Sequence, residues 1–226
     1  MTSEIRVLST LGVRAVLEAL APAFEQANGC TVARAYDSSV ALMQRIAAGE
    51  SADAAVVTAA AIDALIAQGK MTARTDLARS FVGIAVRKGA ARPDISTPEA
   101  FIAALRNANS IARSKTGASG LYFAGLIARL GLEDALAPKM IAWDGIVGKL
   151  AARGEAEIAV QQISELMQAD GIDIVGPLPD ALQSVTVFSA GVFKASRQAA
   201  LAAAFVADLA APAHAALIRQ KGMEPA

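Results

Sequence analysis

The eight residues Arg113-Ser114-Lys115-Thr116-Gly117-Ala118-Ser119-Gly120 hold two cations, three hydroxyls and two glycines. They stand between a short β-like run, Ser110 to Arg113, and an amphipathic stretch that reads as a helix from about Ser119 to Leu130. A helix start presents N–H groups without partners and about half a positive charge. Glycines there let backbone come close to an anion. The segment is therefore a candidate site for an oxyanion or carboxylate, with Arg113, Ser114, Gly117, Ala118 and Ser119 as ligand-binding residues. It is not a Walker phosphate loop, because the glycine frame before Lys115 is missing.

Similar residues recur at other strand ends. Ser9-Thr10-Leu11-Gly12 follows the first strand, Asp37-Ser38-Ser39 the second, and Thr58 the third. One such Ser or Thr is an ordinary helix cap. Repeated after successive strands in both halves, Ser9, Thr10, Ser38, Ser39 and Thr58 read as donors of a neutral anion cage. Gln161 and Gln162, adjacent amides at a later strand end, either donate to the ligand or form a turn in which Gln162 or Ser164 caps the next helix. Asp144 reads as a helix cap. The chain has one histidine, His214, and one cysteine, Cys30, so no metal cluster, disulfide or Ser-His-Asp set is expected. No cofactor is expected either.

The elements that would carry these turns alternate. Strands at Ile5–Leu8, Thr31–Tyr36 and Ala54–Val57 are each followed by a helical pattern, at 12–28, 39–48 and 59–68. Short connections of this kind imply parallel strands with helices on both faces. A second series runs through strands 110–113, 140–143 and 157–161 and helices near 119–130 and 145–152. Two longer β-like runs, Phe81–Arg87 and Val185–Phe193, bracket it. They read as hinge strands joining two lobes, residues 1–82 with 189–226 and residues 83–188, with the anion in the cleft between. A single doubly wound sheet is the alternative.

Hydrophobic residues make up 54% and charged residues 19%, which suits a folded chain with a large core. Lys plus Arg equals Asp plus Glu, at 21 each, so nucleic acid is not an expected partner. Charges interrupt every apolar run, so no membrane insertion is expected. Met1 to Arg6 shows no leader pattern. The expectation is a cytoplasmic monomer, or a periplasmic one if a leader has been removed.

Several stretches resemble the molybdate-binding proteins of ABC importers. They are Tyr36 to Leu42, Gly49 to Val57, Leu130 to Leu136, Ala152 to Val160, and Ala210-Ala211-Pro212 through Met223. The resemblance covers nearly the whole chain. It implies an α/β, type 2 periplasmic-binding-protein fold, a small anionic ligand, and an ABC importer as partner for a secreted chain. It also implies a ligand serine at Ser38 or Ser39. Leu11 stands near the family's first ligand serine, and Gln161-Gln162 replaces its tyrosine. A branch of the fold with the Val160-Gln161-Gln162-Ile163-Ser164-Glu165 stretch resembles aconitate isomerase, which implies a polycarboxylate isomerised by allylic proton transfer, with Lys115 as the candidate catalytic base if it is buried, or a Ser or Thr hydroxyl as the proton shuttle instead.

Overall fold

Strand and helix alternate along the computed structural model of the protein, which describes residues 3–226. The elements are β1 (Ser3–Thr10), a 3-10 turn (Leu11–Val13), α1 (Arg14–Asn28), β2 (Cys30–Asp37), α2 (Ser39–Ala47), β3 (Ala54–Thr58), α3 (Ala59–Ala67) and β4 (Thr75–Arg87). There follow α4 (Pro98–Asn107), β5 (Ile111–Ser114), α5 (Ala118–Arg129), α6 (Glu133–Leu136), β6 (Met140–Trp143), α7 (Gly148–Arg153), β7 (Ile158–Gln162) and α8 (Ile163–Leu166). The chain ends with β8 (Ile172–Pro177), β9 (Val185–Val192), α9 (Ala199–Leu209), α10 (Ala215–Gln220) and β10 (Met223–Pro225).

The chain forms two compact units. One runs to Ser80 and resumes at Thr186; the other is Phe81–Val185. In the first, β2, β1 and β3 are parallel neighbours, β9 joins β3 antiparallel, and β10 pairs with the start of β4. In the second, β6, β5 and β7 are parallel, and the end of β4 pairs antiparallel with β7 and β8. The helical connections thus yield the parallel pairs, and each antiparallel pair involves β4 or β9.

Alternation along the strands divides each unit's core into two faces. In the first unit Ile5, Val7, Ala54 and Val56 pack with α1 and α9, while Leu8, Ala55 and Val57 pack with α2 and α3. Phe24 of α1 meets Phe205 of α9 edge to face, with ring centroids 5.0 Å apart. In the second, Val82, Ile84, Ile111, Ile158 and Val160 cover α4 and α5. Ala85, Ala112 and Ala159 face α7 and α8. Small residues on that face let the helices come close.

Some elements differ from the sequence expectation. β4 begins at Thr75, before the apolar run, because its polar start is held from outside. Asp76 accepts the Ser189 hydroxyl at 2.7 Å, and Ala78 to Ser80 pair with β10. The helix expected from Gly145 starts at Gly148, since Gly145 has a left-handed backbone (φ +92°) and bonds elsewhere. Among the described residues no single helix is long and apolar enough to cross a membrane.

Candidate functional site

In the second unit the turn from β5 into α5 is built on Ser114. Its Oγ accepts the Gly117 N–H at 2.9 Å, and its carbonyl lies under the first turn of α5. A Cβ on Gly120 would stand 1.8 Å from that carbonyl oxygen, and one on Gly117 would stand 2.6 Å from Ser114 Oγ. The close approach that both glycines permit is therefore to Ser114. The result is a tightly wound cradle whose first-turn N–H groups, from Ala118, Ser119 and Gly120, have no intrahelical acceptor.

Side chains around the cradle differ in what they have left to give. Ser119 is buried, and its Oγ has no hydrogen-bond partner. Helical side chains lean toward the N-terminus, so this hydroxyl leans toward the cradle. The Arg113 guanidinium, expected from the sequence to bind ligand, is engaged by backbone: Nη1 donates to the Ser114 carbonyl at 3.0 Å and to the Gly120 carbonyl at 3.4 Å. Its buried Nε has no partner. Arg113 thus braces the turn. Lys115 is exposed, so the burial on which its role as base depended is absent. Asp144 caps no helix; it accepts the Thr116 hydroxyl at 3.3 Å and ties the β6 end to the cradle.

Gln161 is a second correction. Its Oε1 accepts the Val147 N–H at 2.8 Å and its Nε2 donates to the Gly145 carbonyl at 2.9 Å. The amide fixes the Gly145–Val147 turn and is not a spare donor. Gln162 is the residue before α8 and supplies no side-chain cap. Beneath both lies Glu165, which the sequence reading passed over. Burial raises its carboxyl to about 7, against a lowering by hydrogen bonds from the Gln162 backbone and the Gln161 side chain. Its signal was its place at the end of the Val160–Glu165 stretch, where it was given no role.

In the first unit Ser38 and Thr58 are N-caps. Ser38 Oγ accepts from Ala41 N at 3.2 Å and Thr58 Oγ1 from Ala61 N at 3.4 Å. A capping hydroxyl accepts with oxygen and keeps its own hydrogen to donate. Ser39, buried on the first turn of α2, and Thr58 line one open cavity of about 460 Å³ with Val40, Met43, Gln44 and Gln68. Thr10, also buried, precedes the 3-10 turn and caps nothing. Ser9 lies deeper; its hydroxyl donates to the Thr10 carbonyl at 3.2 Å and is spent there.

Strand-to-helix donor turns at the carboxyl ends of parallel strands, in two units linked by β4 and β9, define the architecture. A family model described as bacterial extracellular solute-binding protein matches residues 5–224. The chain belongs to that family. This solute-binding protein is 37% identical to an aconitate isomerase of Pseudomonas sp., over 98% of this chain and 87% of the relative. It superposes on the periplasmic molybdate-binding protein of Azotobacter vinelandii with a TM-score of 0.80 at 21% identity, covering 97% of this chain and 98% of that one. For the tungstate-binding protein of Desulfovibrio alaskensis G20 the TM-score is 0.69 at 18% identity, covering 100% and 99%. These likenesses show the periplasmic-binding-protein fold.

Proposed function

We propose that this solute-binding protein takes a small organic acid with two or more carboxylates. Ser119 carries the reading: a buried hydroxyl without a partner, at the N-terminus of a helix whose first N–H groups also lack acceptors. Such donors suit an anionic oxygen. The exposed Lys115 adds a cation next to them. A neutral cage suits a compact tetrahedral oxyanion, whereas this cradle has a charge at its rim, which favours an acid with several carboxylates. Thr10, Ser38, Ser39 and Thr58 are the proposed ligand donors of the first unit. In the second unit, Ser119 and the Ala118 N–H are ligand donors; Arg113, Ser114, Gly117, Gln161 and Gln162 shape the turns that hold them. Delivery to an ABC importer is the role that goes with binding alone, and it needs the family's extracellular station rather than the cytoplasm.

A panel of citrate, cis-aconitate, trans-aconitate, molybdate, tungstate and sulfate tests the reading by calorimetry and thermal shift. A ligand at 100 times its dissociation constant adds about 2.7 kcal/mol to stability. Binding of a polycarboxylate with no heat from the inorganic anions is expected. Micromolar molybdate binding without any carboxylate binding would refute it.

A second reading, isomerisation of a bound unsaturated tricarboxylate, is favoured by the 37% identity to an aconitate isomerase. In it a Ser or Thr hydroxyl of the site shuttles a proton from an allylic carbon to another carbon, exchanging it with water, while helix N–H groups hold the charge on the carboxylate oxygens. Proton NMR of cis-aconitate with the protein in deuterated water tests it: the trans isomer should accumulate with deuterium at carbon.

A further inference from the structure

Trp143 is the only tryptophan in the chain, and it is 46% exposed. It packs into neither hydrophobic core of its unit. Large aromatics left half in water at a strand end call for an explanation. Its position is fixed by two links. Trp143 is the register partner of Ser114 in the parallel pair β5–β6, so the two side chains share a sheet face. Its carbonyl accepts the Lys115 N–H at 2.8 Å. On that face Ser114 Oγ holds the Gly117 N–H, the entry to α5. The next residue, Asp144, is tied to Thr116. Trp143 therefore stands at the β6 end next to the cradle, on a backbone pinned to it by the Lys115 N–H and by the Asp144–Thr116 bond.

We infer that Trp143 is a specificity-determining wall of the carboxylate site, selecting a planar unsaturated acid over its saturated counterpart. The inference rests on the polycarboxylate reading and deepens it. A carboxylate conjugated to a carbon–carbon double bond is flat and presents a π face; a saturated chain of the same length is puckered. An indole stacks on the first and gains little from the second. The donors of α5 recognise carboxylate oxygens in either acid, so they cannot make this distinction, and the aromatic wall does.

The probes are trans-aconitate and tricarballylate, its saturated analogue. Emission of the wild-type protein comes from Trp143 alone among tryptophans and should change on titration with trans-aconitate. By calorimetry, Trp143→Ala should weaken trans-aconitate about fivefold to tenfold, the size of one aromatic stack, and tricarballylate less than twofold. Trp143→Phe should keep most of the preference. Because the side chain is outside the cores, the far-ultraviolet spectrum and melting temperature of both variants should match wild type. Equal losses for the two acids, or no loss, would overturn the inference and leave the polycarboxylate reading standing. Failure of wild type to bind any carboxylate would overturn both.

Discussion

The Val147 N–H donates to Gln161 Oε1 across 2.8 Å of buried space, and the same amide closes on Gly145 through Nε2. A strand side chain thereby holds both ends of the Gly145–Val147 turn. Gln161→Ala would leave a buried N–H and a carbonyl without partners, at about 1–3 kcal/mol. The urea midpoint should fall with an unchanged slope. Affinity for a polycarboxylate should fall too, because the turn lies beside the β6 end.

Glu165 makes stability depend on pH. Its folded carboxyl is raised to about 7 from an ordinary 4.5, chiefly by burial. Between those values the folded state holds the proton that the unfolded state has released. Stability therefore falls as pH rises from about 4.5 to 7 and levels off above. Glu165→Gln should remove this slope. Its melting temperature should exceed wild type at pH 8 and match it at pH 4.5; a variant less stable at pH 8 would contradict the argument.

Two glycines of α5 should respond in opposite directions. Gly120→Ala drives a methyl into the Ser114 carbonyl at 1.8 Å, so the turn must open, and both stability and anion binding should be lost. Gly125 has only the Arg129 guanidinium tip nearby, at 3.7 Å. Gly125→Ala should stabilise by about 0.4–1 kcal/mol through helix propensity, with binding intact. Thermal unfolding of the pair checks both signs.

Ser119→Ala should leave stability unchanged, since the hydroxyl has no partner to lose, yet weaken a polycarboxylate about tenfold. Lys115→Ala acts through an exposed charge. Its effect should be about threefold or less at physiological salt and should shrink further as salt is raised. Calorimetry at two ionic strengths separates the two roles.

The turns are legible in the sequence; what their side chains bond to is not. Periodicity exposes the alternation of β1–α3 and β5–α5 because apolar spacing is a local property. Glycines at 117 and 120 signal a close approach, but which group approaches is settled only in three dimensions, where it is Ser114. Arg113 and Gln161 carry ligand chemistry by residue type; in the fold Arg113 Nη1 and both ends of the Gln161 amide are engaged by backbone groups that the chain folds onto them. Glu165 closes the Val160–Glu165 stretch, but its role is not legible there, because a single acid looks like a surface residue until its burial is known. Crossovers were expected near residues 83 and 188; the units divide after Ser80 and Val185. β10 escaped notice because it has only three residues, and β8 because Gly171, Gly176 and Pro177 make its stretch read as a turn.

The interrupted course of the first unit sets an order of assembly during synthesis. Its α1-side core draws Phe188, Ala190, Phe205, Val206 and Met223 from the far end of the chain. The second unit is continuous from Phe81 to Val185 and has every residue of its own cores in hand earlier. A ribosome emitting the chain from its N-terminus thus completes the middle before the beginning. Until α9 emerges, the apolar face of Ile5, Val7 and Val56 is covered by α1 alone, so the part made first stays incomplete and exposed to aggregation longest.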